Sequence, residues 1–204
     1  MPDLLDPTLL GSPYGSCLVI GKSGTGKTTL LRSVVDLQLK RPEVKRLFVF
    51  NDKDNQYARG KKLSSFADLR AIPPHSMVIL EDVIVLRKRE EDILRLLLNF
   101  DCHHKKIHAF VVAHHVYKTS LLNMLPFFHY IIFTSHKSNA PLVKVCLSSF
   151  HLDKSEMDKI VNFVQSSVAE RSDGSYFVFD CASLNFYGAP YFESLLPCLL
   201  YTSD

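Results

Sequence analysis

Residues 16–29 read SCLVIGKSGTGKTT, and they decide the fold. Residues 16–20 are short and apolar and end on Gly21, the pattern of a buried strand running into a tight turn. Residues 21–28 then satisfy GxxxxGK[ST]. Glycines at 21, 24 and 26 let the backbone close around an anion, so that successive N–H groups point inward as a nest. A helix that begins directly after the loop aims its positive end at the same point. Lys27 is placed to reach the β and γ phosphates of a nucleotide and Thr28 to ligate Mg²⁺. The N–H or hydroxyl of Thr29 lies near the α phosphate. Gly21, Lys22, Ser23, Gly24, Thr25, Gly26, Lys27, Thr28 and Thr29 are therefore the candidate nucleotide site, with ATP and Mg²⁺ as the expected ligands.

Working outward, apolar runs alternate with helix-like stretches to the end of the chain. Residues 27–39 place Leu30, Leu31, Val34, Val35 and Leu37 near helical spacing, and Arg41-Pro42 stops the helix. Residues 47–50 (LFVF), 77–80 (MVIL), 108–113 (HAFVVA) and 130–134 (YIIFT) read as further strands. Residues 53–62 are polar and read as an exposed loop. Helices are expected over 88–100, 119–125, 142–150 and 155–168, the last opening on Ser155 with Asp158 three residues on. Residues 176–179 and 184–187 read as a terminal hairpin. This order predicts an α/β chain in three layers, with a mainly parallel central sheet and a C-terminal β-hairpin.

The composition fits one such domain. The chain has 204 residues, 24 Lys+Arg against 21 Asp+Glu, 47% hydrophobic and 22% charged residues, and no Trp. That length supports a core without disulfide or metal staples, and a charge of +3 excludes a protein that binds polyanions by bulk charge alone. We expect a single domain over 1–204, with 1–15 as an N-terminal extension and 189–204 as a C-terminal tail. No apolar run has the length of a membrane helix, and residues 1–10 carry Asp3 and Asp6 but no basic cluster, unlike a secretory signal. Five scattered cysteines without a CxxC pair fit reduced thiols in the cytosol or nucleus.

Glu81-Asp82 closes the 77–80 strand. A carboxylate there can hold the Mg²⁺ shell and its neighbour can orient the attacking water. By position Glu81 takes the metal shell and Asp82 the water, and the reverse assignment is open. His114 ends an internal strand, where an open α/β sheet gathers its ligand-binding residues; it can sense the γ phosphate or serve structure alone. The other histidines near Cys102 do not have zinc-ligand spacing. Lys27, Glu81, Asp82 and His114 are the candidate catalytic residues, with Thr28 and Glu81 toward the metal. A GTPase is disfavoured, because Asn51-Asp52-Lys53-Asp54 comes too early for a guanine-reading element.

The phosphate loop, MVILED, the CHHKKIHAFVVA turn and strand, HVYKTSLLNMLPFFHYIIFTS and the closing YFVFD hairpin together resemble the genome-packaging ATPases of double-stranded DNA viruses and virus-like transposons. The likeness is to the poxvirus type within the FtsK–HerA superfamily, it spans roughly residues 16–187, and it implies a three-layer P-loop NTPase fold of the RecA/FtsK-like type. The resemblance implies an ATP-hydrolysing motor that translocates double-stranded DNA into a capsid. It also implies a homo-oligomeric ring, pentamer or hexamer, with capsid or portal proteins as partners. The setting would be a viral assembly site in the host nucleus or cytoplasm, or the virion, with no membrane. His114 stands where the family commonly has Gln. No arginine stands just before the turn histidine, which leaves Arg87, Arg89, Arg95 and Arg171 as candidate fingers reaching a neighbouring subunit. Arg59, Lys61, Lys62, Lys105, Lys106, Lys118 and Lys137 are candidate DNA contacts. The competing readings are a nucleotide-switched viral assembly protein and a small-molecule P-loop kinase, although no Arg-rich lid is evident.

Overall fold

In a computed structural model, residues 14–52, 55–83, 85–116, 119–134, 140–169, 176–188 and 193–194 are described. The expected N-terminal extension and C-terminal tail fall mostly outside them. The elements in chain order are β1 (Gly15–Ile20), α1 (Lys27–Gln38), β2 (Arg46–Phe50), β3 (Lys61–Leu63), β4 (Ser76–Leu80), α2 (Lys88–Leu96), α3 (Cys102–His104), β5 (His108–Ala113), β6 (Tyr130–Thr134), α4 (Ala140–Leu147), α5 (Lys154–Ala169), β7 (Tyr176–Asp180), β8 (Asn185–Gly188) and β9 (Glu193–Ser194). Among the described residues they form one sheet in the order β3-β2-β4-β5-β1-β6-β7-β8-β9. The strands from β3 to β6 in that order pair in parallel, and β7, β8 and β9 are antiparallel. The mainly parallel sheet and the closing hairpin are as the sequence predicts.

Alternation along the strands builds two cores. In β1, Leu18 and Ile20 face one side and pack with Ile93, Leu94, Leu97 and Leu98 of the α2 region, with Val143 and Leu147 of α4, and with Ile160 and Val164 of α5. Cys17 and Val19 face the other side, against Leu30, Leu31, Val34 and Val35 of α1. Every residue of β1, β4 and β5 is buried, as expected for strands covered on both faces. Each large apolar side chain buried this way contributes about 1.5–3 kcal/mol.

Four local expectations are corrected. The supposed exposed loop over 53–62 ends in β3, whose Lys61 and Leu63 pair with Phe48 and Phe50 of β2. Within that stretch Tyr57 is buried, as is Asp52 just before it. A three-residue lysine-rich strand carries no apolar alternation to read, and lysines are what a sheet edge uses to block further pairing. The 88–100 helix becomes a π turn at Leu97–Asp101 before α3. The 119–125 helix is a 3₁₀ helix, Ser120–Phe127, with Pro126 inside it. At α5 the reciprocal cap is made by Asp153 and Glu156, not by Ser155 and Asp158. The Glu156 N–H donates to Asp153 Oδ1 at 2.7 Å and the Asp153 N–H to Glu156 Oε2 at 3.1 Å.

Candidate functional site

The register brings the carboxyl ends of five parallel strands together. Phe50 lies beside Leu80, Leu80 beside Val111, and Ile20 beside both Ala113 and Phe133. The residues that follow, Asn51, Glu81, His114, Gly21 and Thr134, therefore meet at one edge. The ladder continues past the strand ends, with Glu81 N–H donating to Phe50 O and Gly21 N–H to Ala113 O. Asn51 and Asp82 take left-handed backbone conformations, φ 62° and 53°. Non-glycine residues in that region cluster at functional sites.

The glycines of the phosphate loop serve two different needs. Gly24 and Gly26 have φ of 77° and 84°, the left-handed region, with open space where a Cβ would point. Gly21 needs room instead: a Cβ there would lie 2.1 Å from Thr134 Oγ1 and 2.8 Å from Thr25 Oγ1. Those two hydroxyls hydrogen-bond to each other at 2.6 Å, and Thr25 Oγ1 also donates to Lys22 O at 2.8 Å. The loop is thus pinned to β6. Helix α1 starts on Gly26 with no side-chain cap and no acidic residue in its first turn. Its first N–H groups are the orphan donors of any helix start, available to an anion.

Lys27 is buried. Its ammonium donates to Gly21 O at 2.7 Å, to Lys22 O at 2.9 Å and to His114 Nδ1 at 3.1 Å. The other ring nitrogen, Nε2, lies 3.0 Å from Asp82 Oδ1. An ammonium can only donate, so Nδ1 accepts and Nε2–H donates to Asp82. Lys27, His114 and Asp82 form one hydrogen-bonded chain across the site. Burial lowers the Lys27 pKa, while Asp82 and Glu81 act against that shift. Glu81 is shifted upward, first by burial; a hydrogen bond from Tyr57 opposes this and Asp82 reinforces it.

Ser23, Gly24, Gly26, Lys27, Thr28 and Thr29 line one cleft of about 380 Å³ with Glu81, Asp82 and His114. Of the sequence-derived candidates, Gly21, Lys22 and Thr25 do not line this cleft and serve to shape the loop behind it; the others do, and four further residues join them. Asn51, Asp52 and Gln56 also line the cleft, and the Tyr57 hydroxyl donates to Glu81 Oε1 at 2.6 Å. Asn51 and Asp52 follow a strand of the same parallel sheet, so their position at a strand end was a usable signal.

The donor set fits a nucleotide with its Mg²⁺: an uncapped helix start, a glycine loop shaped by left-handed residues, and a buried lysine with two carboxylates opposite. Among the described residues no group of three or more His, Cys, Asp or Glu could hold a metal by itself. The ion would come with the phosphates, held by the Thr28 hydroxyl and, through water, by Glu81.

The remaining candidates scatter. His104 stacks on Phe100, His108 on Phe110, and His103 meets His129. Arg95 lies over the Phe127 ring, while Arg87 and Arg89 are exposed. Arg171, Lys118 and Lys137 lie outside the described residues. Lys105 pairs with Asp101 at 3.1 Å, Lys106 lies over the Tyr14 ring, and Lys62 donates to Asp52 O. Arg59 and Lys61 join Lys45 and Arg46 in lining a groove of about 470 Å³ at the β2–β3 edge. No helix among the described residues is long and apolar enough to cross a membrane.

No protein-family model and no curated protein sequence matches the chain. Solved structures do. The genome packaging NTPase B204 from Sulfolobus turreted icosahedral virus 2, in complex with AMPPCP, matches at a TM-score of 0.60 and 13% identity, over 87% of this chain and 97% of that one. The same NTPase in complex with ATP-gammaS matches at 0.60 and 11%, over 89% and 100%. With the loop, helix and strand order described above, this chain has the fold of the P-loop NTPases.

Proposed function

We propose that the protein hydrolyses ATP and uses the energy to move double-stranded DNA, as the packaging motor of a virus-like genome. The observation that carries hydrolysis is the pairing of the uncapped phosphate loop with two carboxylates, Glu81 and Asp82, that line the same cleft. Bound Mg²⁺ would neutralise phosphate charge. Lys27 holds the phosphates, and its link to His114 couples it to Asp82. Asp82, partnered by the imidazole, is the residue we assign to orienting water, and Glu81 takes the metal's water shell.

The motor reading rests on the likeness to the genome packaging NTPase over nearly the whole chain. Support for a polyanion partner comes from the basic groove at the β2–β3 edge, since sequence-independent contact with DNA requires cations on its phosphates. In a ring of five or six copies, Arg87 or Arg89 is the exposed arginine nearest in sequence to the acidic pair, available to stabilise transition-state charge in a neighbour. Capsid or portal proteins and a viral assembly site in the host cell complete this reading.

The test is ATP hydrolysis with and without double-stranded DNA. Lys27→Ala should lose nucleotide binding. Asp82→Asn should retain binding and lose turnover by about 100-fold or more. If Glu81→Gln alone has that effect, the two carboxylate roles are exchanged. No hydrolysis at saturating ATP and DNA refutes the motor.

A further inference from the structure

Tyr57 lies in the loop between β2 and β3, and none of the sequence patterns above points to it. Its ring is buried among Leu47, Val49 and Val35 on the α1 side of the sheet. The hydroxyl leaves that core and donates to Glu81 Oε1 at 2.6 Å. A phenylalanine would fill the same space, so packing does not explain the oxygen.

The loop that delivers the hydroxyl is fastened at several points. The Asp52 carboxylate accepts the N–H of Gln56 at 2.8 Å and of Tyr57 at 3.4 Å. Arg32 Nε on α1 donates to Gln56 O at 3.1 Å, and the Gly60 N–H donates to Tyr57 O at 2.8 Å. From the other side Asn51 Nδ2 donates to Glu81 O at 3.2 Å. Backbone and side chain of Glu81 are therefore both held by the loop after β2. No other hydrogen bond among the described residues reaches the Glu81 carboxylate, which lines the nucleotide cleft.

We propose that Tyr57 is a positioning residue for Glu81, its hydroxyl fixing Oε1 so that Oε2 is presented to the water or metal shell at the phosphates. A carboxylate on a free side chain samples several rotamers, and holding one oxygen removes that loss when the site closes on its ligand. The proposal rests on the ATPase reading, and two measurements separate the failure of one from the failure of the other.

The first measurement uses the nucleotide-free protein. Urea unfolding of wild type, Tyr57→Phe, Glu81→Ala and the double variant forms a cycle. Tyr57→Phe should shift the unfolding constant about tenfold more in the wild-type background than in the Glu81→Ala background. Equal shifts in both backgrounds overturn the contact, whatever the protein's activity. The second measurement is steady-state ATP hydrolysis. Tyr57→Phe should lower kcat about tenfold and leave KM for ATP within about twofold. A purely structural tyrosine would leave kcat unchanged, and that result, or a rise in KM alone, overturns the positioning role. If wild type does not hydrolyse ATP while the cycle shows coupling, the ATPase reading fails and the positional link between Tyr57 and Glu81 stands.

Discussion

Replacing Gly21 by alanine tests the geometry of the phosphate loop most directly. The new Cβ would sit 2.1 Å from Thr134 Oγ1, 2.8 Å from Thr25 Oγ1 and 2.9 Å from the Thr134 carbonyl, where ordinary contact begins at 3.4 Å. Thr134 is 2% exposed, so its side chain has no solvent to move into. The 2.6 Å bond between the two hydroxyls must break, and the loop must lift from β6. A lost hydrogen bond costs about 1 kcal/mol and overpacking about 1–3 kcal/mol, giving about 2–4 kcal/mol in all. Gly24→Ala meets nothing within 4 Å and loses only through its φ of 77°, about 1–2 kcal/mol. With no Trp in the chain, urea unfolding is best followed by circular dichroism. Nucleotide affinity, read with a fluorescent ATP analogue, should fall by about 100-fold for Gly21→Ala, because the loop backbone is displaced. Thr134→Ala provides the decisive control. Alone it should destabilise by about 1 kcal/mol, but in the Gly21→Ala background it should stabilise by about 1–2 kcal/mol. If Gly21→Ala costs no more than Gly24→Ala, or Thr134→Ala has the same sign in both backgrounds, the packing argument is wrong.

Three further outcomes are expected. Burial raises the Glu81 pKa relative to the unfolded chain, so between the two values the folded state binds protons there more tightly. The Glu81 contribution to stability is complete below the ordinary glutamate value and is lost as pH rises through the raised one. The unfolding midpoint of Glu81→Gln should therefore gain on wild type as pH rises above the ordinary glutamate value, and a flat difference counts against the buried carboxyl. His114→Ala breaks the chain between Lys27 and Asp82; ATP turnover should fall about tenfold or more with nucleotide affinity little changed, and an unchanged turnover would make that histidine structural only. Asp153→Ala should cost about 1 kcal/mol in urea unfolding through loss of the α5 cap, and Ser155→Ala only a few tenths; the opposite order would return the cap to Ser155.

Much of the fold was legible because local patterns sufficed. Continuous apolar runs such as LVI and MVIL mark strands buried on both faces, and the GxxxxGK[ST] run places a loop and a helix start on adjacent residues. The acidic pair was readable from its position at the end of such a run. The pieces that escaped lack a local pattern. Residues Lys61–Leu63 form a strand only because β2 offers an edge to pair with. Asp153 outcompetes Ser155 as a cap by where the chain enters α5, which periodicity does not report.

By itself, then, the sequence determined that this chain has a strand, a glycine-rich loop and a helix in immediate succession, and a mainly parallel sheet around them. Those features depend on backbone freedom and side-chain period along one stretch of chain. Only the tertiary structure decided which side chains meet at the strand ends. It decided that Gly21 is required for space rather than for conformation, because Thr134 arrives from β6, far along the chain. It placed His114 between Lys27 and Asp82 and brought the hydroxyl of Tyr57 to Glu81. Each of those contacts joins residues from different strands or loops, and strand order and register, which no local pattern encodes, set which ones touch.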